Sequence, residues 1–481
     1  NNKMSPATLV QIRDTLANPG LQSAIYSSTS RLMEKRRHAL EEGDRDEFER
    51  WRAQAHQIKK HTLENLDYYL EMIGERLAAR GAKVIFAKDG GEVADFIVRL
   101  AREKNARLVV KSKSMTTEEI HLTERLEETG IEAVETDLGE YIVQLAHERP
   151  SHIVAPAMHK TRYEIADLFR DRLGVEREVV PERQTLIARR TLREKFLTAD
   201  IGITGANFLV ADSGAVVVIE NEGNARLCTS VPRVHIAIAG IEKLIPRAGD
   251  LAVFLKLLGR SATGQPLTVY TSFLAGPRRE GEIDGPDEFY LILLDNGRTR
   301  LLADRAKRQS LFCIRCGACL NHCPVYRKIG GHSYPWVYSG PIGAIITPQF
   351  HGVLEDPWLP YASSLCGACA EVCPVKIDIP QILLDLRWET VKAKVRENTN
   401  RMERWAFRLW AWVMCHPRVY EMVSLASSAI VTSEGDGWQR SVPAVFNVGP
   451  VRNWLSQRDL PPPPPKTFRQ IWKERSAGGR T

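Results

Sequence analysis

The residues that carry the most chemical information in this 481-residue chain are its cysteines. Seven of the nine lie between Cys313 and Cys373. The first group reads Cys313-x-x-Cys316-x-x-Cys319-x-x-x-Cys323-Pro324, the bacterial ferredoxin spacing for a [4Fe–4S] cluster. Three closely spaced thiolates grasp corners of one cubane, and the fourth, followed by proline, points to a neighbouring cluster. Gly317 permits the tight turn between ligands. The second group is Cys366-x-x-Cys369-x-x-x-Cys373-Pro374, with Ser363 where a first cysteine would stand. The crossover assigns Cys313, Cys316, Cys319 and Cys373 to cluster I, and Cys323, Cys366 and Cys369 to cluster II. Zinc fits this packing poorly, because zinc sites usually pair two short hooks set far apart.

Cluster II is left with three thiolates. Four closures are open on the sequence alone. Ser363 Oγ ligates the iron, or Cys415 or Cys228 arrives from elsewhere, or the cluster is [3Fe–4S], or one iron is open to water, substrate or a partner's ligand. An open iron can act as a Lewis acid, whereas electron relay is the default role of a ferredoxin-type pair. Between the two groups, residues 329–354 contain no Asp, Glu, Lys or Arg. Their glycines and prolines argue against a regular helix. An apolar cover or docking surface over the clusters, tuning their potentials, is expected there.

Positioning these thiols requires a chain of several domains, since 481 residues exceed what one core supports. Hydrophobic residues are 43% and charged residues 26%, which excludes a disordered, collagen-like or membrane-embedded protein. Residues 1–80 read as helical and charged, with Leu63, Leu66, Leu70, Ile73 and Leu77 at helical spacing. Residues 81–300 alternate strand and helix patterns, which predicts an α/β domain with a parallel sheet covered on both faces. The expected strands are 83–87, 107–111, 131–135, 152–155, 207–211, 215–220, 234–239, 267–273 and 288–294. Helices are expected over 92–103, 117–128 and 140–146. Residues 301–400 form the cysteine region, closed by a helix that Asp378 caps and Pro380 opens.

Residues 401–481 differ in character. They hold 12 Lys and Arg against 6 Asp and Glu, so most of the net +7 charge sits there. They also hold Trp405, Trp410, Trp412, Trp438, Trp454 and Trp472, and the proline run 461–465 reads as a stiff spacer. The tryptophans are not spaced as a stacking platform, so docking on a partner subunit or a membrane surface is expected rather than nucleic-acid binding. No secretory leader and no apolar run of spanning length is read, and the thiol clusters suit a reducing cytoplasm.

Weaker signals lie in the α/β region. Lys111 and Lys113 precede a helix start where Thr116 and Glu119 fit a capping box, a place for a carboxylate or phosphate or for two solvated lysines. Glu135, Asp137 and Glu140 cluster at a strand end, where open α/β sheets bind ligands, or form a solvated acidic loop. Residues 204–207 and 220–224 are polar turns that line a cleft or merely close hairpins. His152 and His159 read as satisfied histidines rather than ligands. No dinucleotide or P-loop fingerprint is present.

Several runs carry a family resemblance: KSKSMTTEE (111–119), ETDLGEY (135–141), SHIVAPAMHK (151–160), TGAN (204–207), both cysteine motifs, and the tail Phe468-Arg469-x-x-Trp472-Lys473. Together they resemble the lactate-utilisation protein B family over essentially the whole chain. The resemblance implies a LUD domain of NagB/RpiA/CoA-transferase-like α/β fold, then a mostly helical two-cluster iron–sulfur domain and a C-terminal tail. It implies two [4Fe–4S] clusters on the seven cysteines, with the three-cysteine second motif as the family's own pattern. It implies a role in oxidising L-lactate to pyruvate with two partners, a cysteine-rich-domain iron–sulfur protein and a smaller LUD-domain protein. It supplies no catalytic residue. The alternative expectation is an electron-transfer adapter for another 2-hydroxy acid or donor.

Overall fold

A computed structural model describes residues 5–399, 401–430, 452, 458 and 466–477. Trp438, Trp454 and the proline run 461–465 lie outside the described residues. The chain through Ala393 forms one compact unit, and the chain from Lys394 onward forms another.

Ten strands are described: β1 (Lys83–Ala87), β2 (Leu108–Lys111), β3 (Glu132–Glu135), β4 (Ile201–Gly205), β5 (Phe208–Val210), β6 (Ala215–Glu220), β7 (Val234–Gly240), β8 (Leu244–Ile245), β9 (Tyr270–Leu274) and β10 (Glu288–Leu294). Six form a wholly parallel sheet in the order β1-β10-β7-β4-β2-β3. Its inner strands are buried on both faces, which is why β7, but for His235, and β10 after Glu288 read as apolar runs rather than alternations. The helix Gly90–Glu103 covers one face. Asp89 caps it by accepting the Glu92 N–H at 3.0 Å, and Val93, Ala94, Ile97, Leu100 and Ala101 are buried at helical spacing. The remaining strands do not extend this sheet. They form a second, mixed one, β8-β5-β6-β9, built on the β5–β6 hairpin.

Several expectations are corrected. Residues 152–155 are not a strand, because His152 Nδ1 accepts the N–H groups of Val154 and Ala155 at 3.1 and 3.2 Å, the donors a ladder would need. The helix expected over 117–128 is two, Met115–Glu119 and Leu122–Glu127, broken where His121 adopts φ +53°. Its cap is Ser114, which accepts the Thr117 N–H at 3.3 Å; Thr116 and Glu119 form no capping box. Strand β4 was not anticipated, since Gly202 and Gly205 interrupt its pattern. Gly202 is required because a Cβ there would stand 1.8 Å from the Cys228 carbonyl oxygen.

The glycine- and proline-rich stretch does hold a regular helix, Gly340–His351. Pro341 sits in its first turn, where no N–H is needed, and every residue from Gly340 through Pro348 is buried. Burial on all sides overrides weak intrinsic propensity. Four helices, Pro6–Ala17, Pro19–Glu41, Arg45–Glu64 and Leu66–Ala78, form the N-terminal segment. They pack against the cysteine region: Arg52 donates to the carbonyls of Cys373 (3.0 Å) and Glu371 (2.6 Å), and His56 bonds the Val375 carbonyl at 3.0 Å. In the C-terminal unit, the helix Arg401–Cys415 buries no residue and exposes Trp405, Phe407, Trp410 and Trp412.

On β7, His235 is 1% exposed, stacks on Phe289 and shares a 2.9 Å hydrogen bond with Thr204 Oγ1. Burial lowers its pKa to about 3. The unfolded chain therefore takes up a proton below about pH 6.5 that the folded chain refuses, and stability is lost as pH falls through that value. Chemical denaturation at pH 6.5 and 5.5 should show a His235→Gln variant losing about 1 kcal/mol less over that interval than the parent.

Candidate metal centre and adjoining cavity

None of the nine cysteines forms a disulfide. Cys313, Cys316, Cys319 and Cys373 line one cavity, closed by Ile153, Ile314, Ile342, Val375 and Ile377. The loop Cys313–Gly317 is shaped by Gly317 at φ +73°, whose missing side chain leaves room for the His152 ring. His152 Nε2 faces Asn321 Oδ1 at 3.1 Å, and burial lowers the ring's pKa to about 3, so it is a neutral strut between the α/β domain and the cysteine loop. Backbone N–H groups of Arg315 and Ile377 point at Cys313 and Cys373 Sγ, both at 3.4 Å. Burial pushes the Cys316 and Cys373 thiols up to about 12 and 11, and crowding by neighbouring sulfurs adds to it. Cys316, Cys319 and Cys373, buried and crowded, are poor thiolates by themselves. Bound iron would supply the positive charge that favours their thiolate form, and the four-sulfur donor set fits a cubane cluster.

Cys323, Cys366 and Cys369 make a second group, close enough for their sulfurs to interact electrostatically. Cys323 and Cys369 are buried and Cys366 is exposed. The Tyr326 N–H points at Cys323 Sγ at 3.5 Å. Ser363 Oγ accepts the Leu365 N–H at 3.1 Å and so shapes the turn before Cys366. Cys228 does not join either group. It sits in the α/β core, 3.5 Å from Thr136 Oγ1, with its thiol pushed up to about 12 by burial.

Beneath the first group lies a buried charge network drawn from three strand ends. Arg298, after β10, forks onto Glu119 with two hydrogen bonds of 2.9 Å, and its Nε meets Glu242 Oε2 at 2.5 Å. Tyr338, from the linker between the cysteine groups, donates to Glu119 Oε2 at 2.6 Å. Arg315 lies over the Tyr338 ring at 4.4 Å and 3.6 Å from Glu242 Oε1. Burial works against the Glu242 charge, yet Arg298 and Arg315 hold its pKa down at about 2.

A cavity of about 280 Å³ opens beside the first thiol group, with Arg315 and Cys316 in the shared wall. It lies at the carboxyl ends of β2 and β4, where open α/β sheets place ligands. Lys113, Asp137, Gly205, Ala206, Asn207, Glu220, Glu222 and Asn224 line it, so the polar turns face a cleft. Two expectations fail in detail. Lys111 is neither an anion site nor solvated: it is 1% exposed and paired with Glu118 at 2.9 Å and Glu135 at 2.5 Å. The acids are not a solvated loop, since Glu135 and Glu140 are buried and burial raises both pKa values. Asp137 caps the helix Leu138–Leu145 through the Gly139 and Glu140 N–H groups. His159 bonds Glu148 at 2.7 Å and Ser151 at 2.8 Å, a satisfied histidine. Arg298, Glu242 and Lys243 were missed by sequence reasoning, and Glu119 was singled out only as part of a cap; Arg315 had a signal in its place between two cysteines.

The described geometry agrees with the sequence comparisons. The LUD domain model matches residues 70–294, the 4Fe-4S dicluster domain model residues 309–377, and the model of the lactate utilisation protein B C-terminal region residues 386–477. Proteins named Lactate utilization protein B from Bacillus thuringiensis (strain Al Hakam), Bacillus cereus (strain AH187) and Bacillus anthracis (strain A0248) are each 44% identical over 469 residues, spanning 98% of this chain and 97% of theirs. The chain belongs to the lactate utilization protein B family. Its role is in lactate utilisation, and it carries an iron–sulfur domain. A crystal structure of a DUF162 family protein from Deinococcus radiodurans aligns with 48% of this chain and 98% of that one, at 12% identity and a TM-score of 0.28. Among the described residues no helix is long and apolar enough to cross a membrane.

The network under the thiols is expected to set stability. Arg298→Met leaves two carboxylates buried without their partner and should cost about 3–5 kcal/mol. Tyr338→Phe removes one hydrogen bond to a buried charge and should cost about 1.5–3 kcal/mol. Denaturant titration of the two variants under anaerobic conditions checks both values and their order.

Proposed function

We propose that this chain is the iron–sulfur electron-transfer subunit of a multi-protein system that oxidises L-lactate to pyruvate. The observation that carries the reading is the interleaving of the two thiol groups. Cys373, from the second motif, stands with Cys313, Cys316 and Cys319, while Cys323, from the first, stands with Cys366 and Cys369. Two sites that exchange a ligand strand in this way are held close and rigid, as a relay requires. Cys313, Cys316, Cys319 and Cys373 would hold one [4Fe–4S] cluster, and Cys323, Cys366 and Cys369 a second with a non-cysteine fourth position. When bound, the clusters supply one-electron redox chemistry.

The chain's own residues do the rest. The isoleucines and valines around the first group exclude water, and the N–H groups aimed at Cys313, Cys323 and Cys373 favour the reduced, more negative state. The partners are the other two lactate-utilisation proteins, the cysteine-rich-domain iron–sulfur protein and the smaller LUD-domain protein. The exposed Trp405, Trp410 and Trp412 face offers them, or a membrane surface, a docking site. The setting is the cytoplasm.

Two measurements test the reading. Cys316→Ala and Cys373→Ala should each lose about half the iron and remove the same EPR signal, while Cys323→Ala removes the other. With both partner proteins present, L-lactate should bleach the cluster absorbance anaerobically. Bleaching by a different 2-hydroxy acid and not by L-lactate would replace this reading with that of an adapter for another donor.

A further inference from the structure

The cavity beside the first thiol group carries unspent positive charge. Lys243 follows β7 in the short turn Ile241–Lys243 and lines this cavity but not the thiol-lined one. It is 9% exposed, and among the described residues its ammonium has no hydrogen-bond or ion-pair partner. Arg315 Nη1 is buried and likewise has no hydrogen-bond partner. Lys113 reaches the same space from the β2 end. A buried guanidinium nitrogen without an acceptor is costly, and Lys243 lines the same cavity without one, so the fold is built to receive an anion.

The opposite wall limits what that anion can be. Asp137, Glu220 and Glu222 line it, and each has oxygen engaged by backbone donors: Asp137 Oδ1 by Gly139 and Glu140, both Glu220 oxygens by Ala225 and Arg226, and Glu222 Oε2 by Leu138. Burial raises the pKa of Glu220, and burial with the neighbouring Asp137 charge raises that of Glu222 to about 7, so this acidic cluster disfavours a second negative charge on a ligand. Asn207 spends its carbonyl on the Ile219 N–H at 2.8 Å, leaving its NH2 to donate to a hydroxyl or carbonyl oxygen. The volume, about 280 Å³, lies just under the range of drug-sized pockets and suits a compact molecule.

We propose that this cavity binds a small monocarboxylate bearing a hydroxyl or keto oxygen, with its carboxylate on Lys243 and Arg315 and its far end toward Asn207. The choice of a 2-hydroxy or 2-oxo acid within that class rests on the lactate-oxidation reading; the anion site does not. The ligand would be separated from the first thiol group by the shared wall of Arg315 and Cys316.

The test is calorimetric titration of the full-length, cluster-loaded chain, without partner proteins, with L-lactate and with pyruvate. Saturable binding of either is expected. Lys243→Met should weaken it about tenfold or more, while Lys195→Ala, a surface residue paired with Glu132, leaves it unchanged. Lys243→Arg keeps the charge and should retain most of the affinity; if the Met variant fails to fold, as judged by iron content and thermal midpoint, Lys243→Gln carries the same expected loss, and unchanged affinity there overturns the proposal. Absence of saturable binding, unchanged affinity in a folded Lys243→Met, or tighter binding of inorganic phosphate than of both acids would overturn the proposal. Loss of binding with intact lactate-driven bleaching in the three-protein assay would overturn this site alone. Binding without bleaching would overturn the electron-transfer reading alone.

Discussion

The fork of Arg298 on Glu119 and Glu242 is the contact on which the rest of the protein depends. Each partner comes from a different strand end of the parallel sheet, β10, β2 and β7, and each is buried. Tyr338 and Arg315 extend the contact into the cysteine region, so the sheet and the thiol loops share one set of charges. Lys59, from the N-terminal helices, donates to the Glu242 carbonyl and brings a third segment to the same point. Arg298 and Arg315 meet the two carboxylates there, while Lys59 spends its ammonium on a backbone carbonyl. Salt bridges buried this deeply are weak sources of stability; here they fix the sheet and the thiol loops in one arrangement.

That arrangement explains which parts of the protein were legible in its sequence. The cysteine spacing was readable because a cubane imposes its geometry on a short stretch of chain, where sequence distance and spatial distance nearly coincide. Strands β1, β6 and β10 were readable to the residue because their apolar runs are bounded by charges and turns. Strand β4 was not, since Gly202 answers a demand made by the carbonyl of Cys228, 26 residues later by number, and Gly205 one made by the Ser114 side chain. The helix Gly340–His351 was misread for a related reason. Its glycines and prolines are unfavourable in a solvated helix and tolerable in one enclosed on every side, and enclosure is a tertiary fact.

The candidate site divides the same way. The acidic and basic runs around β2 and β3 were correctly singled out as unusual, but their roles depended on pairings the chain makes across the sheet. Lys111 and Glu135 neutralise one another across adjacent strands, which leaves Lys113 to face the cavity. Lys243 sits in an ordinary tripeptide after a strand, and nothing in its neighbours marks it. Only the absence of a partner in space makes it conspicuous.

The contacts between the N-terminal helices and the cysteine region also bear on how the protein is made. Arg52 bonds the carbonyl of Cys373, 321 residues further along, and Gln22 that of Lys328, 306 residues further along. Strand β10 enters the sheet between β1 and β7, so the sheet itself is incomplete until residue 294 has been synthesised. A growing chain must hold its first helices without their final partners for most of translation. Such high contact order slows folding and lengthens exposure of apolar surface. All seven motif thiols can stand together only once Cys373 has been made and the N-terminal helices have met the cysteine region.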